Sequence, residues 1–152
     1  MFVLKVFQTS YRMERRLMTS ETVKWLIDHG IRVSLQRIAV MSYLLESRLH
    51  PTVEMIYAGL HAMFPTLSRS TIYQSLELFC EKGAAMKVAI DDGEMRFEAN
   101  LSKHGHFKCL KCGTLMDFNY PDEPPLPAPS GNFRVLQQHL FCRGICPPCL
   151  AV

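Results

Sequence analysis

The sequence has no apolar run approaching the ~20 residues that a helix needs to cross a bilayer, which argues against a membrane-spanning protein. Its N-terminal stretch from Met1 to Phe7 is interrupted by Lys5 and has no small-residue cleavage site, so it makes a poor export signal. Also missing are a Ser/His/Asp grouping and a phosphate-cradling glycine loop, the usual supports for enzyme chemistry of those kinds. Charge excess is small. A formal net charge of +3 over 152 residues gives electrostatics alone a weak case for nucleic acid. The distribution says more, because Arg12, Arg15, Arg16, Lys24, Arg32, Arg37, Arg48 and Arg69 lie in the first half, where acids are fewer until Asp91. That asymmetry fits a phosphate-facing surface, and it fits a merely solvated basic face equally well. With 48% hydrophobic and 20% charged residues, the chain has the composition of one ordinary globular domain or two small ones.

What is present in quantity is cysteine, at six residues. Without an export signal these fit a reducing cytoplasm, where paired cysteines bind metal more often than they form disulfides. Cys109-Leu-Lys-Cys112 and Cys146-Pro-Pro-Cys149 are two CxxC pairs. Two thiolates three positions apart on a tight turn can reach one cation, and two such turns supply the four sulfurs of a closed tetrahedral zinc site. Such a site contributes folding energy and no chemistry of its own. One pair alone would also suit a redox dithiol. A thiol–disulfide oxidoreductase built on Cys146 and Cys149 is therefore the alternative from another class, although the βαβ context of such enzymes is missing. Cys80 and Cys142 stand outside the pairs and read as small buried hydrophobes.

Helical spacing and capping residues organise the first half. Ser20 heads a helix with Val23, Leu26 and Ile27 apolar, stopped at His29-Gly30. Ser34 caps a second, with Ile38, Met41, Tyr43, Leu44 and Leu45 apolar. His50-Pro51-Thr52 breaks the chain before a third helix with Val53, Ile56, Tyr57, Leu60 and Phe64 at helical spacing, closed by Pro65. Ser68 caps a fourth with Ile72, Leu76 and Phe79 inward, ending at Lys82-Gly83. Two short helices joined by a tight turn suit a helix-turn-helix, whose second helix would present Arg69, Ser70, Tyr73, Gln74 and Glu77 outward. Arg and Gln side chains can contact base edges bidentately, and Ser and Tyr reach phosphates. An ordinary αα-hairpin with a polar face is the plainer reading. Strands over Ala85 to Ile90 and Met95 to Glu98, around an Asp91-Asp92-Gly93 turn, favour a winged helix. Further strands are expected over Phe107 to Cys112 and Thr114 to Tyr120. A proline-rich loop spans Pro121 to Gly131, and Phe133 to Phe141 forms a strand or helix leading to the second CxxC. The domain boundary falls near Ala99 to Ser102.

His104-Gly-His106 precedes Cys109 closely. On a strand, residues i and i+2 share a face, so both imidazoles can bind one cation. Glu98 and Asp117 lie on flanking strands, and His50 sits at a helix entry in the other domain. Imidazole with carboxylate suits Fe(II), Mn(II) or Zn(II), whereas four thiolates suit zinc. Surface or supporting histidines would give the same pattern.

Taken in order, GIRVSLQR from Gly30 to Arg37, HPTVEMIY from His50 to Tyr57, SRSTIY from Ser68 to Tyr73, Arg96-Phe97-Glu98, HGHFKCLKCG from His104 to Gly113 and GICPPC from Gly144 to Cys149 resemble the ferric uptake regulator (Fur) family. The resemblance runs from about Ser20 to the C-terminus. It implies an α+β, homodimeric, cytoplasmic transcription regulator, in most members acting with a metal corepressor on a double-stranded DNA operator. An N-terminal winged-helix domain (1–98) would bind DNA, residues 99–102 would form a hinge, and a small C-terminal α/β domain (103–152) would dimerise and hold metal. Cys109, Cys112, Cys146 and Cys149 match the family's structural zinc ligands. His50, Glu98, His104, His106 and Asp117 match the regulatory site for Fe2+ or Mn2+, with Zn2+ as the alternative, as arranged in the peroxide-responsive PerR branch, which the run Asp117-Phe-Asn-Tyr-Pro also resembles. Tyr73 matches a DNA-contacting tyrosine, with Arg69, Ser70, Gln74, Arg32 and Arg37 as companions. The resemblance thus implies a peroxide-sensing repressor, or a regulator of iron, manganese or zinc uptake without oxidation chemistry.

Several positions depart from the pattern. Glu98 stands where peroxide sensors usually have Asp. Lys103 and Gly105 replace the His and Asp common in iron-uptake regulators, which argues against that family's additional metal site. Gln74 replaces a more usual Arg or Asn. Residues 1–17 have no counterpart, and read either as a basic arm or as the product of an early start codon ahead of Met18.

Overall fold

The computed structural model describes residues 20–47, 49–91, 94–121, 129–135 and 138–151. The expected extension over 1–17, the Asp92-Gly93 turn and most of the proline-rich loop lie outside the described residues. Contacts divide the chain into two compact units, with the break between Leu101 and Ser102.

The first unit is built from α1 (Ser20–Asp28), α2 (Leu35–Glu46), α3 (Val53–Leu60), α4 (Arg69–Glu81) and an antiparallel hairpin of β1 (Met86–Asp91) and β2 (Glu94–Glu98). Local signals start and stop the helices. Gly30 closes α1 at φ +67, with its N–H on Ile27 O and the N–H of Ile31 on Leu26 O. Only glycine takes that left-handed position without a Cβ penalty. Ser34, Thr52 and Ser68 cap α2, α3 and α4 by accepting from Arg37, Met55 and Thr71 N–H. The core gathers Leu26, Met41, Leu44, Ile56, Leu60, Ile72, Leu76, Phe79 and, from β2, Phe97. The hairpin is therefore packed into the helical layer through one face of β2 and is no free flap.

One expected boundary and one expected face differ. The helix expected to run toward Pro65 ends at Leu60, after which His61 to Met63 form a turn. On α2, Leu45 is exposed while Ala39 and Val40 are buried, because α2 contacts α1, α3 and α4 and so buries a broader face than one stripe.

The second unit holds a three-stranded sheet in the order β4-β3-β5, with β3 (Gly105–Cys109), β4 (Leu115–Phe118) and β5 (Leu140–Gly144), followed by the short α5 (Pro147–Leu150). β3 runs antiparallel to β4 and parallel to β5. A parallel pair needs a long crossover, which accounts for the chain between β4 and β5. In the stretch expected to be strand or helix from Phe133, β5 is Leu140–Gly144, while Phe133 and Val135 are exposed. The two CxxC turns follow β3 and β5, and the parallel register Cys109↔Gly144 brings them side by side. The whole is an α+β fold.

Candidate metal centres

Cys109 ends β3, and the chain reverses at Gly113 (φ +74), whose N–H reaches back to Cys109 O at 2.9 Å. Cys146 and Cys149 flank the first turn of α5, where Pro147 and Pro148 cost nothing because the first helical N–H groups have no intrahelical partner. The four Sγ atoms lie within 4.8 Å of one another, and Cys112 and Cys146 are 3.7 Å apart. Arms of ~2.3 Å in a tetrahedron place sulfurs about 3.8 Å apart, so the four thiols fit a zinc ion and stand too far apart for disulfides. N–H groups of Cys112 (3.5 Å) and Cys146 (3.3 Å) donate to Cys109 Sγ and lower its pKa to about 6. A hydrogen bond with Cys146, and after it partial burial, pushes the Cys149 thiol up to about 12. Meeting all four sulfurs at one point is what zinc asks of them.

The five other expected ligands are divided between the units. In the first, His50 and Glu98 are both buried, with Nε2 3.0 Å from Oε2. His50 has φ +47, the one non-glycine residue with positive φ among the described residues, although the following Pro51 favours extended backbone before it. In the second unit, His104 immediately precedes β3 and His106 lies on it, both buried and with Nε2 atoms 3.1 Å apart. Asp117 on β4, opposite His106 in the register, places Oδ1 3.7 Å from His106 Nε2 and 4.0 Å from His104 Nε2. Ligands with arms of about 2.1 Å sit roughly 3.0–3.4 Å apart on neighbouring corners of one ion. Both the His104–His106 and the His50–Glu98 separations fit, and their N/O chemistry suits Fe(II), Mn(II) or Zn(II). His104 Nδ1–H donates to Ser102 O at 2.7 Å, which turns the Nε2 lone pair toward His106.

Of the residues expected at DNA, Arg69, Ser70, Tyr73 and Gln74 all lie exposed on the first two turns of α4, while Arg32 is exposed and Arg37 half-buried. Arg37 Nη1 donates to Arg32 O at 2.7 Å. Arg69 is ion-paired to Glu54 at 2.6 Å and stacked 3.8 Å over the Tyr57 ring. Three supporting groups escape a reading of the sequence: Ser102, Thr114, whose Oγ1 lies 3.2 Å from Cys112 Sγ, and Arg96, whose Nη1 donates to His50 O at 3.1 Å. Arg96 lies in the Arg96-Phe97-Glu98 motif, but its contact, like those of Ser102 and Thr114, depends on the fold.

The sequence pattern of the ferric uptake regulator family matches residues 28–126. Over 132 residues the chain is 36% identical to the peroxide operon regulator of Bacillus subtilis, covering 85% of this chain and 91% of that protein. It is also 36% identical over 132 residues to the peroxide-responsive repressor PerR of Staphylococcus epidermidis, covering 85% and 88%. Among solved structures, a zinc-bound manganese uptake regulator matches with a TM-score of 0.64 at 28% identity, over 82% of this chain and 98% of that one. The Helicobacter pylori ferric uptake regulator Fur shares the fold, with a TM-score of 0.66 at 21% identity over 89% and 96%. The family pattern covers residues 28–126, the relatives align over 85% of the chain, and the chain belongs to the ferric uptake regulator family.

Proposed function

We propose that the protein is a cytoplasmic, homodimeric transcriptional repressor that binds a double-stranded DNA operator when a regulatory cation, Fe(II) or Mn(II), is bound, and that peroxide relieves the repression. Zinc on Cys109, Cys112, Cys146 and Cys149 is structural. His50, Glu98, His104, His106 and Asp117 together take the regulatory cation, so that one ion draws ligands from both units and restrains the angle between them. The observation that carries this reading is the buried pairing of imidazole with carboxylate in the first unit, matched by a His/His/Asp set in the second.

Each residue has a definite task. Ser102 O orients His104, and Glu98 and Asp117 supply negative charge against the cation. Arg69, Ser70, Tyr73 and Gln74 on α4 meet the operator, with Arg32 and Arg37 beside phosphate. Two recognition helices in a dimer must match half-sites about 34–36 Å apart or a multiple of it, so fixing the angle raises the binding-competent fraction. By linkage, metal and operator then strengthen each other by the same factor, typically ~1–3 kcal/mol. The chemistry that Fe(II) supplies when bound is reduction of peroxide to an oxidant beside the imidazole rings. The peroxide-responsive names of the relatives support this reading.

The test loads Fe(II) anaerobically and adds hydrogen peroxide. A peptide carrying His50 or His104 should gain the mass of one oxygen as operator binding is lost. His50→Ala should abolish metal-dependent tightening on the operator; tightening that survives it rules out the shared cation. A second reading, sensing of metal supply without oxidation, is favoured by Glu98, one methylene longer than the usual Asp, and by the likeness to a manganese uptake regulator. Mn(II)- or Fe(II)-dependent binding with no oxygen gain after peroxide would select it.

A further inference from the structure

We infer that Arg96 is a positioning residue for the regulatory cation, holding the His50 backbone in the conformation that aims its imidazole at Glu98. The inference rests on the proposed role of His50 as a metal ligand and adds a residue outside the ligand set.

Three consecutive residues of β2 grip the short segment before α3. Arg96 Nη1 donates to His50 O at 3.1 Å, Phe97 N–H donates to Pro51 O at 3.1 Å, and Glu98 Oε2 lies 3.0 Å from His50 Nε2. His50 needs such a grip. Its φ of +47 is a conformation that side-chain-bearing residues rarely adopt, and Pro51 biases it toward extended backbone instead. Left unrestrained, His50 would relax, swinging its carbonyl and ring away together. The guanidinium is itself fixed, with Nη2 3.1 Å from Glu94 Oε2 and Nη1 3.8 Å from Met55 Sδ. The Arg96 side chain is 23% exposed, so the bond to His50 is partly shielded from water. Phe97, between Arg96 and Glu98, is fully buried in the core, which gives the grip a rigid base.

Charge and position predict opposite signs. Removing a cation near a cation site, and leaving Glu94 uncompensated, should tighten metal binding if Arg96 acted through charge alone. Loss of a group that orients a metal-bound histidine typically costs 10–100-fold in metal affinity.

The experiment measures Mn(II) affinity of the full, zinc-loaded chain against a chromophoric chelator, for wild type, Arg96→Met, Arg96→Lys and His50→Ala. Arg96→Met keeps the apolar stem and removes the donors. It should weaken Mn(II) binding about 10-fold or more, with zinc content and thermal unfolding unchanged. Arg96→Lys should fall between it and wild type, because one ammonium cannot serve His50 and Glu94 as a guanidinium fork does. Arg96→Met binding Mn(II) as tightly as wild type, or tighter, overturns the inference. If Arg96→Met does not fold, Arg96→Lys decides, and wild-type affinity there overturns it equally. His50→Ala separates the two levels. If it binds Mn(II) as wild type does, His50 is no ligand and the role of Arg96 falls with it; if it is weak while Arg96→Met is normal, only Arg96 is misassigned.

Discussion

Gly105 stands between His104 and His106 and pairs with Phe118 across β3 and β4. A Cβ added there would lie 2.5 Å from Phe118 Cζ and 2.9 Å from Cε1 and Cε2. The aromatic ring occupies the space a side chain would need, so Gly105→Ala must push Phe118 off the sheet or bend β3. Overpacking of that kind costs about 1–3 kcal/mol. Because the bent residue is flanked by two proposed ligands, Mn(II) affinity should fall along with the unfolding midpoint. Calorimetry with a Mn(II) titration checks both, and an alanine variant unchanged in each would show that Phe118 yields freely. The same ring explains a departure visible in the sequence. Iron-uptake regulators often carry Asp at this position, and here Phe118 leaves it no room. Glycine in the HGH motif was plain to read, but the reason for it was not, since Phe118 reaches it only through sheet register. His50 is similar. Its histidine type and place before Pro51 were legible, whereas its left-handed backbone, worth of order 1–3 kcal/mol of strain, belongs to the tertiary grip of β2.

At the scale of elements, α4 shows how far local rules carry. Ser68, the apolar spacing of Ile72, Leu76 and Phe79, and the Lys82-Gly83 stop are each encoded within a few residues, and the helix forms over Arg69–Glu81 with those side chains buried. Its outer face follows from the inner one. Tyr73 is 50% exposed beside Ser70 and Gln74, free of the core and available to a groove. Tyr73→Ala should therefore weaken operator binding roughly 10-fold or more, in line with ~1.5–3 kcal/mol for a hydrogen bond to a charged group such as phosphate, and leave Mn(II) affinity unaltered. Fluorescence anisotropy on operator DNA with a parallel metal titration tests this; equal losses in both would mean that the helix itself had been disturbed. The Arg69–Glu54 pair, exposed on both sides, is screened by solvent and is easily exchanged for a phosphate. Strand β5 marks where local rules run out. Its beginning at Leu140 is set by parallel pairing with β3, and an apolar run alone does not reveal which of its residues will find a partner strand.

Over the whole molecule the two units are stabilised by different means. The first has an apolar core of Leu, Ile, Phe and Met side chains drawn from four helices and β2. In the second, among the described residues, the buried hydrophobic side chains are Cys109 and Cys146 alone. A sheet of three short strands cannot bury enough apolar surface to hold itself together, so zinc on the four cysteines would stand in for a core. Structural zinc sites supply of order 10–16 kcal/mol in small domains at neutral pH, ample for this task. Stripping zinc with a strong chelator under reducing conditions should thus expose the amides of β3, β4 and β5 to hydrogen exchange while those of α2 and α4 stay protected. Restoring zinc should return the protection. A homodimer interface is the competing source of stability for the second unit, and concentration separates the two. If β3–β5 stay protected in zinc-free protein at high concentration and lose protection on dilution, association and not the metal holds the sheet. Exposure that is independent of concentration, and reversed by zinc, assigns the role to Cys109, Cys112, Cys146 and Cys149, and with it the placement of His104 and His106 on the strand that leads into the first of them.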